Sequence, residues 1–174
     1  ELVSGTDGTD ATYKLTKYEL LSKVTFLLWN RPPDDALYHL VADANTSLEL
    51  DAVLNQVFQS PYARTAARAF FYDWLHLERT PTLKGITSAA FKTLATGENL
   101  DAAGNDHRQA MIEEVLDMSE YYTWKEGGGY EDILTSGYSF ARTADLAHIY
   151  GVPVWDGNEN NMVPFTDAAP RAGL

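Results

Sequence analysis

The sequence predicts an all-α domain, an orthogonal bundle of several helices with a loop-rich C-terminal tail. Apolar residues recur at helical spacing in successive segments, and residues that favour helix starts and ends flank these segments. Strand-like alternation does not persist anywhere, and no repeat of constant length emerges. We therefore divide the chain into a flexible lead-in (1–15), a helical domain (16–151) and an irregular tail (152–174) that leads to a further domain.

The first helical segment shows these signals clearly. Thr16 and Glu19 have the spacing of a capping box, in which two side chains satisfy free amides at a helix start. Leucine and valine residues then follow at helical intervals as far as Trp29. This pattern predicts a first helix from about Lys17 to Trp29.

The stretch "WNRPPDD", residues 29–35, ends this helix. Its two adjacent prolines disfavour helical backbone at the residue before them and prevent the helix from continuing. The aspartates that follow suit the positive end of a second helix. We interpret the stretch as a corner between two helices, with Trp29 packed into the angle. The alternative is a ligand-binding cluster of Asn30, Arg31 and Asp34.

The remaining helices are predicted from the same signals. They cover approximately residues 35–44, 47–58, 61–77, 88–95, 106–123, 130–135 and 143–150. Ser60 followed by Pro61 is typical of a helix start, and Gly151 is typical of a helix end in left-handed conformation. Trp74 lies at the apolar end of its helix, so we expect both Trp29 and Trp74 to be core residues.

Composition argues against several classes of function. The formal net charge of −12 is unfavourable for binding phosphate backbones, so we expect no nucleic-acid partner. No apolar run approaches the roughly 20 residues that cross a bilayer, so we expect no membrane insertion. The absence of cysteine rules out disulfides, thiolate metal sites and covalent haem attachment within this segment. Because the chain begins with Glu1 rather than Met, we expect a processed or truncated product.

Four stretches, taken in order, carry a family resemblance. They are "YELLSKVTFLLWNRPPDDALYHLV", "VFQSPYARTAARAFFYDWLHL", "YEDILTSGYSFARTADLAHIYGVP" and the terminal "PRAGL". Over residues 18–174 this order resembles the bacterial domain-of-unknown-function family fifteen-ninety-two. In that family's pattern, a helix ending in Phe-x-x-Trp precedes Pro-Asp-Asp, and Leu-Ala-x-x-Tyr-Gly follows later.

The resemblance implies a module of large exported proteins, located in the periplasm or outside the cell. Neighbouring domains of these polypeptides carry Cys-x-x-Cys-His motifs like those of c-type cytochromes, so haem c is expected only there. The family has no assigned catalytic residues to transfer. It often has an Asn-Glu pair after Tyr-x-Phe, where this chain has Arg142 and Thr143. The chain stops at Leu174, where the family usually runs on, so we expect its partners to be neighbouring domains of the same polypeptide.

The histidines and carboxylates offer weak candidates for a site. The four histidines (His39, His76, His107 and His148) form no His-x-x-x-His or His-Glu-x-x-His unit, and we interpret them as structural. His107 shares a helix with Glu113 and Glu114, but the spacing is too long for direct contact. We interpret Glu113, Glu114 and Asp117 as a solvated acidic face. The alternative is a buried carboxylate that orients a neighbouring loop.

One segment of the tail resembles a calcium loop. Five residues occupy positions 1, 3, 5, 8 and 12 of an EF-hand loop: Asp156, Asn158, Asn160, Val163 and Asp167. All of these except the eighth are ligand positions. The sixth position is Asn161 rather than glycine, and Pro164 interrupts the loop. We therefore expect at most weak calcium binding, at Asp156, Asn158, Asn160 and Asp167, and no other metal or cofactor in this segment. Our interpretation of the segment is a polar Asn-rich turn, and the calcium site is the alternative.

The leading functional hypothesis is a non-catalytic helical scaffold or interaction module of a larger exported, haem-c-associated protein. Hydrolase chemistry lacks support because there is no Gly-x-Ser-x-Gly elbow. The stretch "EGGGY" lacks the lysine of a phosphate-binding loop and follows a helix, so we interpret it as a loop. The alternatives are a part of a multidomain oxidoreductase or polysaccharide-active enzyme, or a carbohydrate-binding module that uses exposed tryptophan and tyrosine.

Overall fold

The structure is a computed structural model. It describes residues 2–4, 11–13, 15–43, 47–82, 88–89, 107–125, 127–166 and 171. The helix predicted at 88–95 lies outside this part of the chain, apart from its first two residues. The chain divides into two compact units, Glu1–Ala67 and Arg68–Leu174.

Helices dominate the described residues, which confirms the predicted all-α fold class. The seven α-helices seen there are α1 (Lys17–Trp29), α2 (Asp35–Asp43), α3 (Ser47–Gln59), α4 (Pro61–Trp74), α5 (His107–Trp124), α6 (Tyr130–Thr135) and α7 (Ala144–Tyr150). A 3₁₀ turn spans Leu77–Arg79. Within the described residues no sheet has more than two strands.

Short strands accompany the helices in both units. Strands β1 (Leu2–Ser4) and β2 (Ala11–Tyr13) pair antiparallel in the first unit. Strands β3 (Tyr138–Ser139) and β4 (Val163–Pro164) pair antiparallel in the second unit. We predicted no strand in either place, because two or three residues are too few to show a period of two.

The first unit is built on contacts among α1, α2 and α3. All three helices contribute buried side chains: Leu21, Thr25, Trp29, Leu37, Val41, Val53 and Val57. Ala63 of α4 is buried as well. The predicted capping box at the start of α1 is confirmed. The Glu19 amide donates to Thr16 Oγ1 at 3.3 Å, and the Thr16 amide donates to Glu19 Oε2 at 2.8 Å.

Trp29 lies in the corner after α1, as predicted. Its side chain is 6% exposed, and its indole N–H donates to the Val57 carbonyl oxygen at 2.7 Å. The Tyr62 ring packs against the indole with a centroid distance of 5.3 Å. Asn30 follows in left-handed conformation (φ 54°) and ends the helix, because asparagine tolerates this backbone better than most residues.

The polar residues of the corner have structural roles. Asp34 Oδ1 accepts a hydrogen bond from the Leu37 amide at 3.0 Å and thereby caps α2. The Arg31 guanidinium lies 4.1 Å from the centroid of the Tyr62 ring, in cation–π contact. These contacts confirm the corner interpretation of "WNRPPDD".

The second unit is organised around α5, which contacts both α6 and α7. One core cluster joins α5 to the segments that follow it: Met118, Tyr122, Ile133, Phe140 and Trp155. Trp155 belongs to the segment after residue 151 and is buried. Its backbone N–H donates to the Ala141 carbonyl oxygen at 2.8 Å. The first part of the tail is irregular in its backbone, yet it contributes a large core side chain.

Helix α4 ends earlier than predicted, at Trp74 rather than near residue 77. His76 adopts a left-handed conformation (φ 52°) and begins the 3₁₀ turn. The prediction that Trp74 is a core residue is wrong, because its side chain is 47% exposed. Phe71 packs into the core, whereas Phe70 and Trp74, one turn apart, face outward and stack at 5.6 Å. The apolar stripe of α4 is therefore wider than the surface that covers it.

Candidate functional site

The acidic side of α5 binds one arginine. Arg68 Nη1 donates to Asp117 Oδ1 at 2.8 Å and to Glu120 Oε2 at 3.0 Å, and Arg68 Nη2 donates to Glu113 Oε2. Burial acts to lower the pKa of Arg68, but the hydrogen bonds to Asp117 and Glu120 outweigh it, so the pKa is raised. Arg68 therefore stays charged and holds three carboxylates together.

A second arginine approaches Asp117 from the opposite side. Arg142 Nε donates to Asp117 Oδ2 at 2.5 Å, and its guanidinium lies 4.9 Å from the Trp155 ring centroid. The Asp117 side chain is only 5% exposed. The expectation of a solvated acidic face is thus wrong at this residue, because two arginines from distant parts of the sequence cover it. Asp117 instead links α5 to the Trp155 segment through Arg142.

Glu114 forms a separate polar cluster with Tyr150 of α7. The Tyr150 hydroxyl donates to Glu114 Oε2 at 2.5 Å. Burial raises the pKa of Glu114, and this outweighs the opposing hydrogen bonds from Tyr150 and from the Phe140 backbone N–H. Burial and the Glu114 carboxylate also raise the pKa of Tyr150. The Arg171 guanidinium lies 4.6 Å from the Tyr150 ring centroid and completes the cluster.

The raised pKa of Glu114 predicts a pH dependence of stability. Between its ordinary pKa of 4.5 and its higher folded-state pKa, the folded protein binds more protons than the unfolded chain. Stability contributed by this group is therefore lost as the pH rises through that window. Glu114→Gln keeps an oxygen that accepts from Tyr150 and Phe140 but cannot ionise. We expect melting temperatures measured above pH 4.5 to fall less steeply with pH in this variant than in the parent.

The control for this experiment is Glu131→Gln, at an exposed position of α6. Its melting curve should follow the parent at every pH. If the Glu114→Gln and parent curves run parallel across the window, the carboxyl of Glu114 does not titrate with a raised pKa.

His107 is buried at the start of α5. Its Nε2 lies 3.9 Å from Asp145 Oδ2 and has no hydrogen-bond partner among the described residues. Glu113 and Glu114 contact Arg68 and Tyr150, so the structure does not bring them to His107. The other three histidines are exposed. Within the described part of the chain, no group of three or more histidines and carboxylates has the geometry of a metal site.

Three of the four predicted calcium ligands lie in one tight loop, and Asp167 lies outside the described residues. The Asn158 backbone N–H donates to Asp156 Oδ1 at 2.8 Å. The Asn161 side-chain Nδ2 donates to Asp156 Oδ2 at 2.8 Å. These bonds lower the pKa of Asp156. The Asn160 backbone N–H likewise donates to Asn158 Oδ1 at 2.9 Å. The oxygens proposed for calcium thus organise the loop itself, as in the predicted Asn-rich turn.

Weak calcium binding at this loop remains a prediction with a direct test. A ligand of the folded state raises stability by mass action, by about 0.4 kcal/mol when its concentration equals its Kd. The melting temperature should therefore rise slightly and progressively with millimolar calcium, and a chelator should reverse the rise. Magnesium at the same concentrations is the control. A melting temperature that does not change with calcium rejects the site.

An aromatic groove of about 300 Å³ lies between α4, α5 and α6. We call it the aromatic groove; its apolar lining is Phe70, Phe71, Trp74, Tyr122, Tyr130 and Ile133. The Trp74 ring lies 5.3 Å from the Tyr130 ring, measured between centroids. Phe70 and Tyr130 are 58% and 52% exposed. Large rings from two separate segments thus form one apolar patch in contact with water.

The loop between α5 and α6, which the sequence predicted, forms one edge of the groove. Gly128 and Gly129 line it together with Thr123. The Gly128 amide donates to the Lys125 carbonyl oxygen at 2.9 Å, and the Gly129 amide donates to Asp132 Oδ2 at 2.9 Å. Sequence reasoning missed the groove, because Trp74 and Tyr130 are far apart in the chain. The available signal was the adjacent pair Phe70 and Phe71, which one apolar stripe cannot bury together.

Comparison with known proteins identifies the class to which this fold belongs. The family model described as "PSD4: Protein of unknown function (DUF1592)" matches residues 15–152. The chain therefore belongs to this family, which confirms the resemblance to family fifteen-ninety-two. No curated protein and no solved structure matches the chain. Among the described residues no helix is both long and apolar enough to cross a membrane.

Proposed function

We propose that the chain is a non-catalytic helical scaffold and interaction module of a larger exported bacterial protein that carries c-type haem. Membership of the DUF1592 family supports this proposal, because the sequence resemblance implies exported proteins with cytochrome-c-like neighbouring domains. The partners are then neighbouring domains of the same polypeptide, in the periplasm or outside the cell. Covalent haem belongs to those neighbours, since this chain has no cysteine.

The observation that carries the proposal is the aromatic groove. Contiguous exposed apolar patches are typical of interaction sites, and tryptophan and tyrosine are enriched among residues that dominate binding energy. Here Trp74 lies in contact with both Phe70 and Tyr130. The cluster offers a ready contact surface for a neighbouring domain.

The ion pairs of α5 support a structural role for that helix. Asp117 accepts from Arg68 with one oxygen and from Arg142 with the other. Both oxygens of this carboxylate are thus engaged in contacts that hold separate parts of the chain together. Arg142 in turn contacts the Trp155 ring. Asp117 thereby fixes the position of a core segment.

One observation favours the alternative, a contribution to an enzyme. Glu114 is a largely buried carboxyl with a raised pKa, and general acids in enzymes have such environments. In an oxidoreductase or a polysaccharide-active enzyme, Glu114 would act as the acid beside Tyr150 and the neighbouring domain would provide the remaining groups. Glu114→Gln in the complete protein tests this alternative, because it removes the proton while keeping the hydrogen-bond acceptor.

The scaffold proposal is tested on the complete gene product. We expect its coding sequence to contain at least one Cys-x-x-Cys-His motif outside this chain, and its product to be recovered from the periplasm or the medium. The haem domain and this chain are then produced separately and mixed. Analytical ultracentrifugation, followed at the haem absorption, should show the haem domain sedimenting faster when the chain is present.

Three results would contradict the scaffold proposal. A gene without such a motif would contradict the haem association. Recovery of the product from the cytoplasm would contradict export. If the haem domain sediments at the same rate with and without the chain, the proposed contact between them is contradicted. Trp74→Ala serves as the matched variant, because it removes an exposed ring and should weaken the association without unfolding the chain.

A further inference from the structure

We infer that the aromatic groove binds a polypeptide segment that inserts one large apolar side chain and carries lysine or arginine residues beside it. This inference rests on the proposed function and names the chemistry of the partner surface. Three features of the groove carry it: the state of its polar atoms, its open glycine edge and the charge around its rim.

Four polar groups at the groove already have hydrogen-bond partners. The Tyr122 hydroxyl donates to Ser136 Oγ at 3.1 Å, and the Thr123 hydroxyl donates to the Ser119 carbonyl oxygen at 2.7 Å. The Gly128 backbone N–H donates to the Lys125 carbonyl oxygen, and the Gly129 backbone N–H donates to Asp132 Oδ2 at the start of α6. A sugar buried here would leave several hydroxyls without partners, which costs free energy. An apolar side chain has no hydrogen bonds to lose when it is buried, so the lining of the groove favours it.

The dimensions fit one side chain attached to a backbone. A volume of about 300 Å³ lies at the lower end of the range for small-molecule pockets. At Gly129, an added Cβ would have only Asp132 Oδ2 near it, at 3.9 Å. A backbone can therefore pass close to the loop while its side chain enters between the rings.

The rim is acidic. Asp73 precedes Trp74, Glu131 follows Tyr130, and both are exposed. Asp132 lies at the glycine edge. The basic group nearby, Lys125, lies over the Tyr121 and Tyr122 rings at 5.4 and 5.2 Å. With a chain charge of −12, complementarity favours a basic partner.

The experiment uses the whole chain and defined peptide probes. Short capped peptides contain one central phenylalanine flanked by lysines, with matched peptides in which alanine replaces the phenylalanine or glutamates replace the lysines. Binding is followed by the indole N–H signals in nuclear magnetic resonance spectra. The Trp74 signal is assigned by its loss in Trp74→Ala. The Trp29 and Trp155 indoles donate to the Val57 and Asn158 carbonyl oxygens, so their signals report the folding of each unit.

The Lys-Phe-Lys peptide should shift the Trp74 signal and leave those of Trp29 and Trp155 unchanged. Alanine at the centre should weaken binding by at least about tenfold. Glutamate flanks should weaken it by roughly fivefold, less at high salt. No Trp74 shift at millimolar peptide overturns the inference, and so does equal binding of all three peptides. A Trp74 shift with soluble cello- or xylo-oligosaccharides but not with peptides overturns it in favour of a sugar site.

Failure of this inference and failure of the proposed function give different results. If the haem domain binds the chain but leaves the Trp74 signal unchanged, the scaffold proposal stands and the groove is not the contact. If the lysine peptide shifts the Trp74 signal but no neighbouring domain binds, the groove is a peptide site and the scaffold proposal fails.

Discussion

Replacing Trp29 with alanine should lower the free energy of unfolding by about 3–5 kcal/mol, the usual cost of removing a core tryptophan. The side chain fills the corner after α1 and is almost fully buried. Its loss removes the packing against Tyr62. It also removes the indole hydrogen bond to the Val57 carbonyl oxygen, which would keep the Ser60 backbone N–H as a donor at 3.3 Å, and the lost hydrogen bond adds to the cost. Urea unfolding followed by circular dichroism measures the change.

The matched control is Trp74→Ala, which removes the same side chain from an exposed position. We expect its cost to stay below about 1 kcal/mol, as for most surface substitutions. A Trp29→Ala variant that unfolds at the same urea concentration as the parent would contradict the corner packing. A Trp74→Ala variant as unstable as Trp29→Ala would show that Trp74 is buried in solution.

The second large effect is expected at Asp117. Asp117→Asn should lower the free energy of unfolding by about 3 kcal/mol, because removing one partner from a buried ion pair leaves charges uncompensated. The asparagine amide would place a donor against the donors of Arg68 or Arg142. Both arginines are partly exposed, so water limits the loss to the lower part of the range for buried pairs.

Glu113→Gln is the control for Asp117. It removes a carboxylate that also contacts Arg68, but from a side chain that is 42% exposed. Exposed ion pairs contribute little, so the change should stay below about 1 kcal/mol. Unfolding measurements at low and high salt separate the two cases, since salt screens the exposed pair more strongly. Equal losses of unfolding free energy in the two variants would show that the burial of Asp117 does not increase its contribution to stability.

Sequence reasoning succeeded where the interaction is local. The contact between Thr16 and Glu19 joins residues three apart, and Gly151 ends α7 in left-handed conformation (φ 69°), as predicted. Residue types and spacing indicate contacts of this kind directly. Trp29 could also be predicted, because prolines fix the corner into which it packs.

The remaining features depend on distant partners. Arg68 and Arg142 lie 49 and 25 residues from Asp117, and the charge pattern of α5 alone cannot show which cations reach it. Trp74 was misjudged for a related reason. Helical period indicates which face of a helix is apolar, but not how much of that face a neighbouring segment covers. The aromatic groove is therefore visible only in three dimensions.

The backbone of the glycine loop beside the groove determines which substitutions the loop tolerates. A Cβ on Gly128 would meet the Tyr122 carbonyl oxygen well inside van der Waals contact, so the backbone would have to move. Gly127 has a positive φ (71°) but nothing within 4 Å of an added Cβ. Asparagine tolerates that backbone at modest cost. Among variants selected for a folded chain, position 128 should stay glycine, whereas position 127 should accept asparagine.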